Sequence, residues 1–328
     1  MAMDNALRSF FIHLSQNKLL NEAAQKWGLK LGAQQVVAGT NLDEVINSIK
    51  RLNSIGISCT IDHLGEFVSD KSEATYAKEQ ILKVIEAIHH HKLDAHISVK
   101  LSQLGLDIDY HFCLENFQEI VKKANEYGIF VNVDMEDHPR LEKSFAIIDE
   151  ILPSFDNVGT VIQAYFYKAK DYMKKYQNCR LRIVKGAYKE SEEVAYQSKN
   201  DIDRNFVELI EWHLLNGKFT SIATHDHHVI NHVKRFVKKH NIPRDKFEFQ
   251  LLYGFREDVQ KQLVQEGYQM CTYVPFGKDW YGYFMRRLAE RPQNLNLLVK
   301  QVFNRKTNTM IGVAVTGFIL GRLSKRRK

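Results

Sequence analysis

The chain has 328 residues, 44% of them apolar and 11% aromatic, with only 5 Pro and 17 Gly. That composition excludes a disordered or fibrous protein and supplies enough apolar side chains for a large core. The formal net charge is +7, but five positive charges lie in the last seven residues, and the remainder carries 41 basic against 39 acidic side chains, so a nucleic-acid-binding face is not expected.

Cys59, Cys113, Cys179 and Cys271 show no Cys-x-x-Cys spacing. This speaks against a zinc site or a disulfide framework and for reduced thiols in the cytoplasm. The first residues lack the basic head, apolar middle and small-residue cleavage site of a secretory leader. No run reaches the roughly 20 apolar residues that a spanning helix needs.

In chain order, a helical segment through about residue 55 comes first. Short apolar, β-rich runs then alternate with amphipathic helical patterns. Ser58–Asp62 is followed by a helix over Lys71–His91, and His96–Leu101 by one over Cys113–Tyr127. The runs Phe130–Asp134, Gly159–Ala164 and Arg180–Lys185 come next, then a helix over Glu190–Leu215. Thr220–Thr224 leads to a helix over His227–His240, and Phe247–Leu252 to one over Arg256–Gly267. Gln269–Val274 and a helix from about Asp279 to Phe303 complete the pattern. Each helix is a crossover, so the sheet must be parallel.

The same alternation also permits an open doubly wound sheet. The polar residues decide for a closed (β/α)₈ TIM-type barrel, because they gather at the C-terminal ends of the strands, which in a barrel converge on one face. They include Asp62, His63, Lys100, Asp134, Gln163, Lys185, Thr224, His225, Gln250 and Tyr273. The expected organisation is a helical segment over 1–55, a barrel over 56–305 and an apolar, basic tail over 306–328.

The most pointed local feature is Arg286-Arg287, set between Tyr283 and Glu290 in the last helical pattern. Neighbouring helical residues point about 100° apart, so two guanidinium groups can grip one small carboxylate from two sides. Taken alone, the pair also fits a solvated basic step.

Together, several segments resemble the proline dehydrogenase family. They are Thr60-Ile-Asp-His-Leu-Gly-Glu66, Ser98-Val-Lys-Leu-Ser102, Asn132-Val-Asp-Met-Glu-Asp137, Val161-Ile-Gln-Ala-Tyr165, Leu181-Arg-Ile-Val-Lys-Gly-Ala-Tyr188, Ala223-Thr-His225 and Tyr283 to Glu290. No motif is decisive alone; their order and spacing make the match, over roughly residues 40 to 300. The resemblance is to the single-function bacterial form. It implies a (β/α)₈ barrel holding FAD, oxidation of L-proline to Δ¹-pyrroline-5-carboxylate by hydride transfer to flavin N5, and electrons passed to a membrane quinone.

The resemblance implies roles for named residues. Asp134 is the catalytic carboxylate, and Arg182 the cation beside the flavin. Met135, Gln163, Lys185, Gly186, Ala187, Thr224 and His225 contact the flavin. Lys100, Arg286 and Arg287 meet the substrate carboxylate. Ile183, Tyr188, Tyr273 and Tyr283 wall the pyrrolidine ring, and Tyr273 takes the position associated with excluding hydroxyproline. Glu290 joins the substrate set, and Glu66 is a gate pairing with the first arginine.

Read by chemistry alone, each has a plainer alternative: a snorkelling surface amine for Lys100, a buried ion pair for Asp134, core packing for each tyrosine. His225, Asp226, His227, His228 and His232 could be read as a metal site, making a metal-dependent barrel hydrolase the second reading. Against it, no His-x-His ends the first strand, and no metal is expected. The segment Met310 to Gly321 is apolar and precedes the basic end. It is read either as a peripheral anchor over 309–328 on the inner face of the cell membrane or as a last packing helix.

Overall fold

The computed structural model describes residues 33–65 and 68–290, with side chains described through 287. It divides into two compact units, one over Ala38–Lys278 and another that includes the described residues 33–37 and 279–290.

In the first unit eight strands form a closed barrel in sequence order. They are β1 (Ser58–His63), β2 (Ala95–Val99), β3 (Val131–Val133), β4 (Val158–Gln163), β5 (Arg180–Val184), β6 (Phe219–Ala223), β7 (Phe247–Leu252) and β8 (Met270–Phe276). All neighbours are parallel, and β8 closes on β1 with Tyr273 opposite Thr60 and Pro275 opposite Asp62. The fold is therefore the closed barrel expected from the sequence, not the open sheet.

The helices of this unit are α1 (Leu42–Asn53), α2 (Lys71–His90), α3 (Tyr110–Glu126), α4 (His138–Ile151), α5 (Ala169–Lys175), α6 (Lys199–Asn216), α7 (His227–Lys239) and α8 (Glu257–Gln265). Their starts are written in the sequence. Asp70 accepts from the backbone N–H of Ser72 and Glu73 at α2, Asp109 from Phe112 at α3, and Asp226 from His228 at α7. Along α2, Ala74, Ala77, Ile81, Val84, Ile85 and Ile88 recur at helical spacing and are buried.

Among the described residues, one helix begins well inside its expected span. The helix expected over Glu190–Leu215 begins at Lys199. Residues 191–198 instead lie along the loop after β4: Phe166 pairs antiparallel with Ala195, Tyr196 N–H donates to the Tyr165 carbonyl, and Tyr167 N–H to that of Val194. Backbone groups engaged in that pairing are unavailable to a helix.

The apolar core is the layer between strands and helices. The strands' outward residues, such as Ile61, Ile97, Val99, Val131, Val133 and Ile183, belong to it. The lumen is polar. Arg180 on β5 bonds Glu248 on β7 at 2.6 Å, and Arg182, two residues on, bonds Thr60 on β1 at 3.1 Å. Contacts between non-adjacent strands of a closed barrel pass through its interior, so both arginines point inward.

The second unit is described by itself. A 3₁₀ turn over Ala33–Gln35 joins the helix α9 (Trp280–Glu290), in which Trp280 packs edge-on against Phe284 at 5.9 Å between ring centroids.

Candidate active site

Four charged side chains and one phenol meet where β1, β2, β3, β5 and β8 converge. Arg182 Nη1 donates to Asp134 Oδ1 at 2.8 Å and to Ser98 Oγ at 3.0 Å. The Ser98 hydroxyl itself donates to Asp134 Oδ1 at 2.7 Å. Lys100 Nζ bonds Asp62 Oδ2 at 2.9 Å and Asp134 Oδ2 at 3.2 Å. The Tyr273 hydroxyl donates to Asp62 Oδ2 at 2.6 Å, and its ring lies 5.2 Å from the Arg182 guanidinium carbon. Two cations thus face two carboxylates, and their mutual attraction offsets part of the cost of taking them out of water.

The protonation states follow. Burial pushes the Asp134 carboxyl upward, but Lys100 and Arg182 with the Ser98 hydroxyl outweigh it and hold its pKa below the ordinary value. Asp134 is an acceptor and an anchor of charge, not an acid. Burial, reinforced by Asp134 and Asp62, pushes Tyr273 well above the usual phenol range, so it stays a neutral donor.

Around this cluster the loops after β1 to β5 are joined by side chains. Gln103 Nε2 donates to the His63 carbonyl at 2.9 Å. Glu136 accepts from Ser102 N–H at 2.9 Å and from the Ser102 hydroxyl; burial raises its carboxyl above the ordinary range. Gln163 Nε2 donates to the carbonyls of Met135 and Glu136 at 3.1 and 2.9 Å, and its Oε1 accepts from Ala187 N–H at 3.0 Å. Gln163 therefore joins β3, β4 and β5, with both ends of its amide on backbone.

The other residues expected at a flavin lie as follows. Gly186 has φ +130°, and a Cβ there would come 1.7 Å from Cδ1 of Tyr165, so only glycine fits. Lys185 bonds Asp203 at 2.6 Å and approaches Asp226 at 3.6 Å, so its charge is already balanced. Thr224 Oγ1 accepts from Asp226 N–H at 3.1 Å, and the His225 carbonyl accepts from Arg256 at 2.7 Å. Arg182 Nε is buried with no hydrogen-bond partner among the described residues.

One residue expected in an apolar wall stands elsewhere. Ile183 alternates with the inward Arg182 and so faces the helix layer. Tyr273 presents its hydroxyl to the ionic cluster. Tyr188 is 38% exposed. In the second unit Arg286, Arg287 and Tyr283 share α9, with the Arg287 guanidinium 5.0 Å from the Tyr283 ring. Glu66, the Glu290 side chain and the 309–328 tail lie outside the described residues.

Sequence reasoning gave no role in the site to Thr60, Ser98 and Asn132, and named Asp62 only as a polar strand end. Asn132 Nδ2 donates to Asp134 Oδ1 at 3.3 Å. The available signal was parity: each lies two positions from another inward polar residue on its strand. For the histidine-rich segment, His232 bonds Glu211 at 2.7 Å, and among the described residues no group of three or more His, Cys, Asp or Glu could hold a metal ion.

A closed eight-stranded parallel barrel with an ionic cluster at the C-terminal ends of its strands defines a (β/α)₈ enzyme. The family model described as proline dehydrogenase matches residues 45–299. Proline dehydrogenase 1 of Bacillus subtilis subsp. natto is 43% identical over 301 residues, covering 91% of this chain and 100% of the relative. The proline dehydrogenase of Deinococcus radiodurans is 38% identical over 307 residues, covering 91% of this chain and 98% of the relative. Among solved structures, proline utilization A from Bdellovibrio bacteriovorus, inactivated by N-propargylglycine, superposes with a TM-score of 0.75 at 23% identity. That match covers 90% of this chain but 38% of the longer one, and it carries the fold alone. The chain belongs to the proline dehydrogenase family and is an oxidoreductase. The hydrolase reading falls with that assignment.

Proposed function

We propose that this chain oxidises L-proline to Δ¹-pyrroline-5-carboxylate with FAD, the first step in degrading proline to glutamate. The observation that carries the reading is the partly buried Arg182–Asp134–Lys100–Tyr273 cluster in a chain of this family. Two features fit a flavin: the buried Arg182 Nε in want of an acceptor, and Gly186, where no side chain is tolerated. When bound, FAD supplies the two-electron acceptor for the carbon beside the ring nitrogen.

The chain's own residues do the rest. Arg182 is a fixed cation in a water-poor site, where it favours negative charge developing on the acceptor. Asp134 holds Arg182 and Lys100 in place and keeps the cluster neutral. The residues proposed to hold the cofactor are Met135, Gln163, Lys185, Gly186, Ala187, Thr224 and His225. Lys185 reaches a phosphate only by sharing its carboxylates, Asp203 and Asp226. Arg286 and Arg287 supply the cations for the substrate carboxylate, since adjacent guanidinium groups match it in shape and charge. Glu66 and Glu290 are proposed as gate and substrate contact, from sequence likeness. Electrons leave to a membrane quinone, and the apolar, basic tail over 309–328 brings the enzyme to the membrane surface. Among the described residues no helix is long and apolar enough to cross a membrane.

The test is an absorbance spectrum of the purified protein before and after adding L-proline without oxygen. A band at about 450 nm that bleaches is the expected result. Bleaching only with another secondary amine would change the substrate; a colourless protein that takes up no FAD would overturn the reading.

A further inference from the structure

The Asp62 carboxylate on β1 has no part in the roles above, yet it is 2% exposed and sits on two of their partners. Its Oδ2 accepts from Lys100 Nζ, just past β2, at 2.9 Å and from the Tyr273 hydroxyl of β8 at 2.6 Å. β1 lies between β8 and β2 in the barrel, so Asp62 joins the strands on either side of its own. The Tyr273 hydroxyl has one proton and two acceptors in reach, Asp62 at 2.6 Å and Asp134 at 3.2 Å. The shorter contact wins the proton. Asp62 thereby sets where the hydroxyl points and leaves Asp134 to Arg182, Ser98, Asn132 and Lys100.

We infer that Asp62 is a positioning residue for the reaction: by holding Tyr273 and counterbalancing Lys100, it fixes one charge arrangement for the substrate to meet. The inference rests on the proposed oxidation of proline. Neutralising Asp62 changes two things at once. The cluster of Lys100, Arg182, Asp62 and Asp134 moves from neutral to a net positive charge, and the Tyr273 proton turns to Asp134. The first strengthens binding of any bare carboxylate; the second misplaces groups that the reaction needs in register.

The experiment compares wild type, Asp62→Asn, Tyr273→Phe and the double variant, each as flavin-loaded full-length protein. Proline turnover gives kcat and KM. Tetrahydro-2-furoate, a ring carboxylate with oxygen in place of the nitrogen, gives anion affinity through perturbation of the flavin spectrum. Asp62→Asn is expected to lower kcat about tenfold while binding the furoate several-fold tighter. The double variant should be little worse than the single ones, because the two residues act through one contact. Asp62→Glu keeps the charge, so it should lower kcat without tightening the furoate, and it serves if the asparagine variant fails to fold. Additive losses together with unchanged furoate affinity would overturn the role of Asp62 while leaving the function intact. Wild-type protein inert toward proline would overturn both.

Discussion

Arg182 crosses the barrel interior from β5 to meet Asp134 beyond the end of β3, with donor and acceptor 2.8 Å apart. Asp134 also carries Lys100, so its removal takes a carboxylate partner from two cations at once, leaving Asp62 as the carboxylate beside Lys100. Asp134→Ala is expected to destabilise the protein by about 3–5 kcal/mol, and Asp134→Asn by less, because the amide oxygen still accepts from Arg182. Urea unfolding at neutral pH checks the order, and equal losses would show that the charge contributes little. The sign with pH is fixed too. The folded pKa of Asp134 is depressed, so its contribution is complete above the ordinary carboxylate range and disappears as pH falls through the lowered value.

Gly186→Ala should fail twice over. The new Cβ would meet the Tyr165 ring, and φ +130° is a region that side chains rarely adopt. Backbone strain alone costs about 1–3 kcal/mol. The expected result is a lower unfolding midpoint and reduced flavin content. Retention of both at wild-type levels would mean that the turn relaxes easily.

His213 gives the fold a second pH sensitivity. It is fully buried, its Nδ1 lies 2.8 Å from the Thr220 hydroxyl, and burial lowers its pKa from 6.5 to about 4. Between those values the unfolded chain binds the extra proton, so stability is complete above about pH 6.5 and falls as pH drops towards 4, by up to about 3 kcal/mol. Urea midpoints between pH 7 and 5 measure the slope. The slope should shrink in His213→Gln, whatever that variant's absolute stability; an unchanged slope would assign the effect to other groups.

Arg287→Lys keeps the charge but loses the planar fork. KM for proline is expected to rise about tenfold or more, with a smaller change in kcat. If kcat falls and KM does not move, the arginine acts on the reaction and not on substrate capture.

Deleting residues 309–328 is expected to abolish binding to vesicles containing anionic lipid and to spare turnover with a soluble dye. Each basic side chain at such a surface contributes about 1 kcal/mol. Undiminished vesicle binding would remove the tail from the membrane proposal.

The barrel was legible because its strands are short β-rich runs punctuated by long amphipathic stretches, and the polar residues sit at one end of each run. Lys100 and Asp134 could be picked out for the same reason. Asp62 could not be ranked above its neighbours, because its importance arises only when β8 closes on β1 and brings Tyr273 beside it. The segment over 191–198 read as helix from its apolar spacing, but pairing with Phe166 and its neighbours took the backbone. The likeness to the family does not show that Ile183 faces the helix layer; the alternation that puts Arg182 inside does.

The chain of joints running from His63 through Gln103, Ser102, Glu136 and Gln163 to Ala187 carries a lesson for anyone grafting parts between barrels. Each of these loops holds half of a fastening whose other half belongs to the next. A single loop transplanted from another barrel would arrive with its clasp open on both sides, and its neighbours would lose theirs. Modular exchange at this rim has to proceed by adjacent pairs, with Gln163 and both of its flanking loops moving as one cassette.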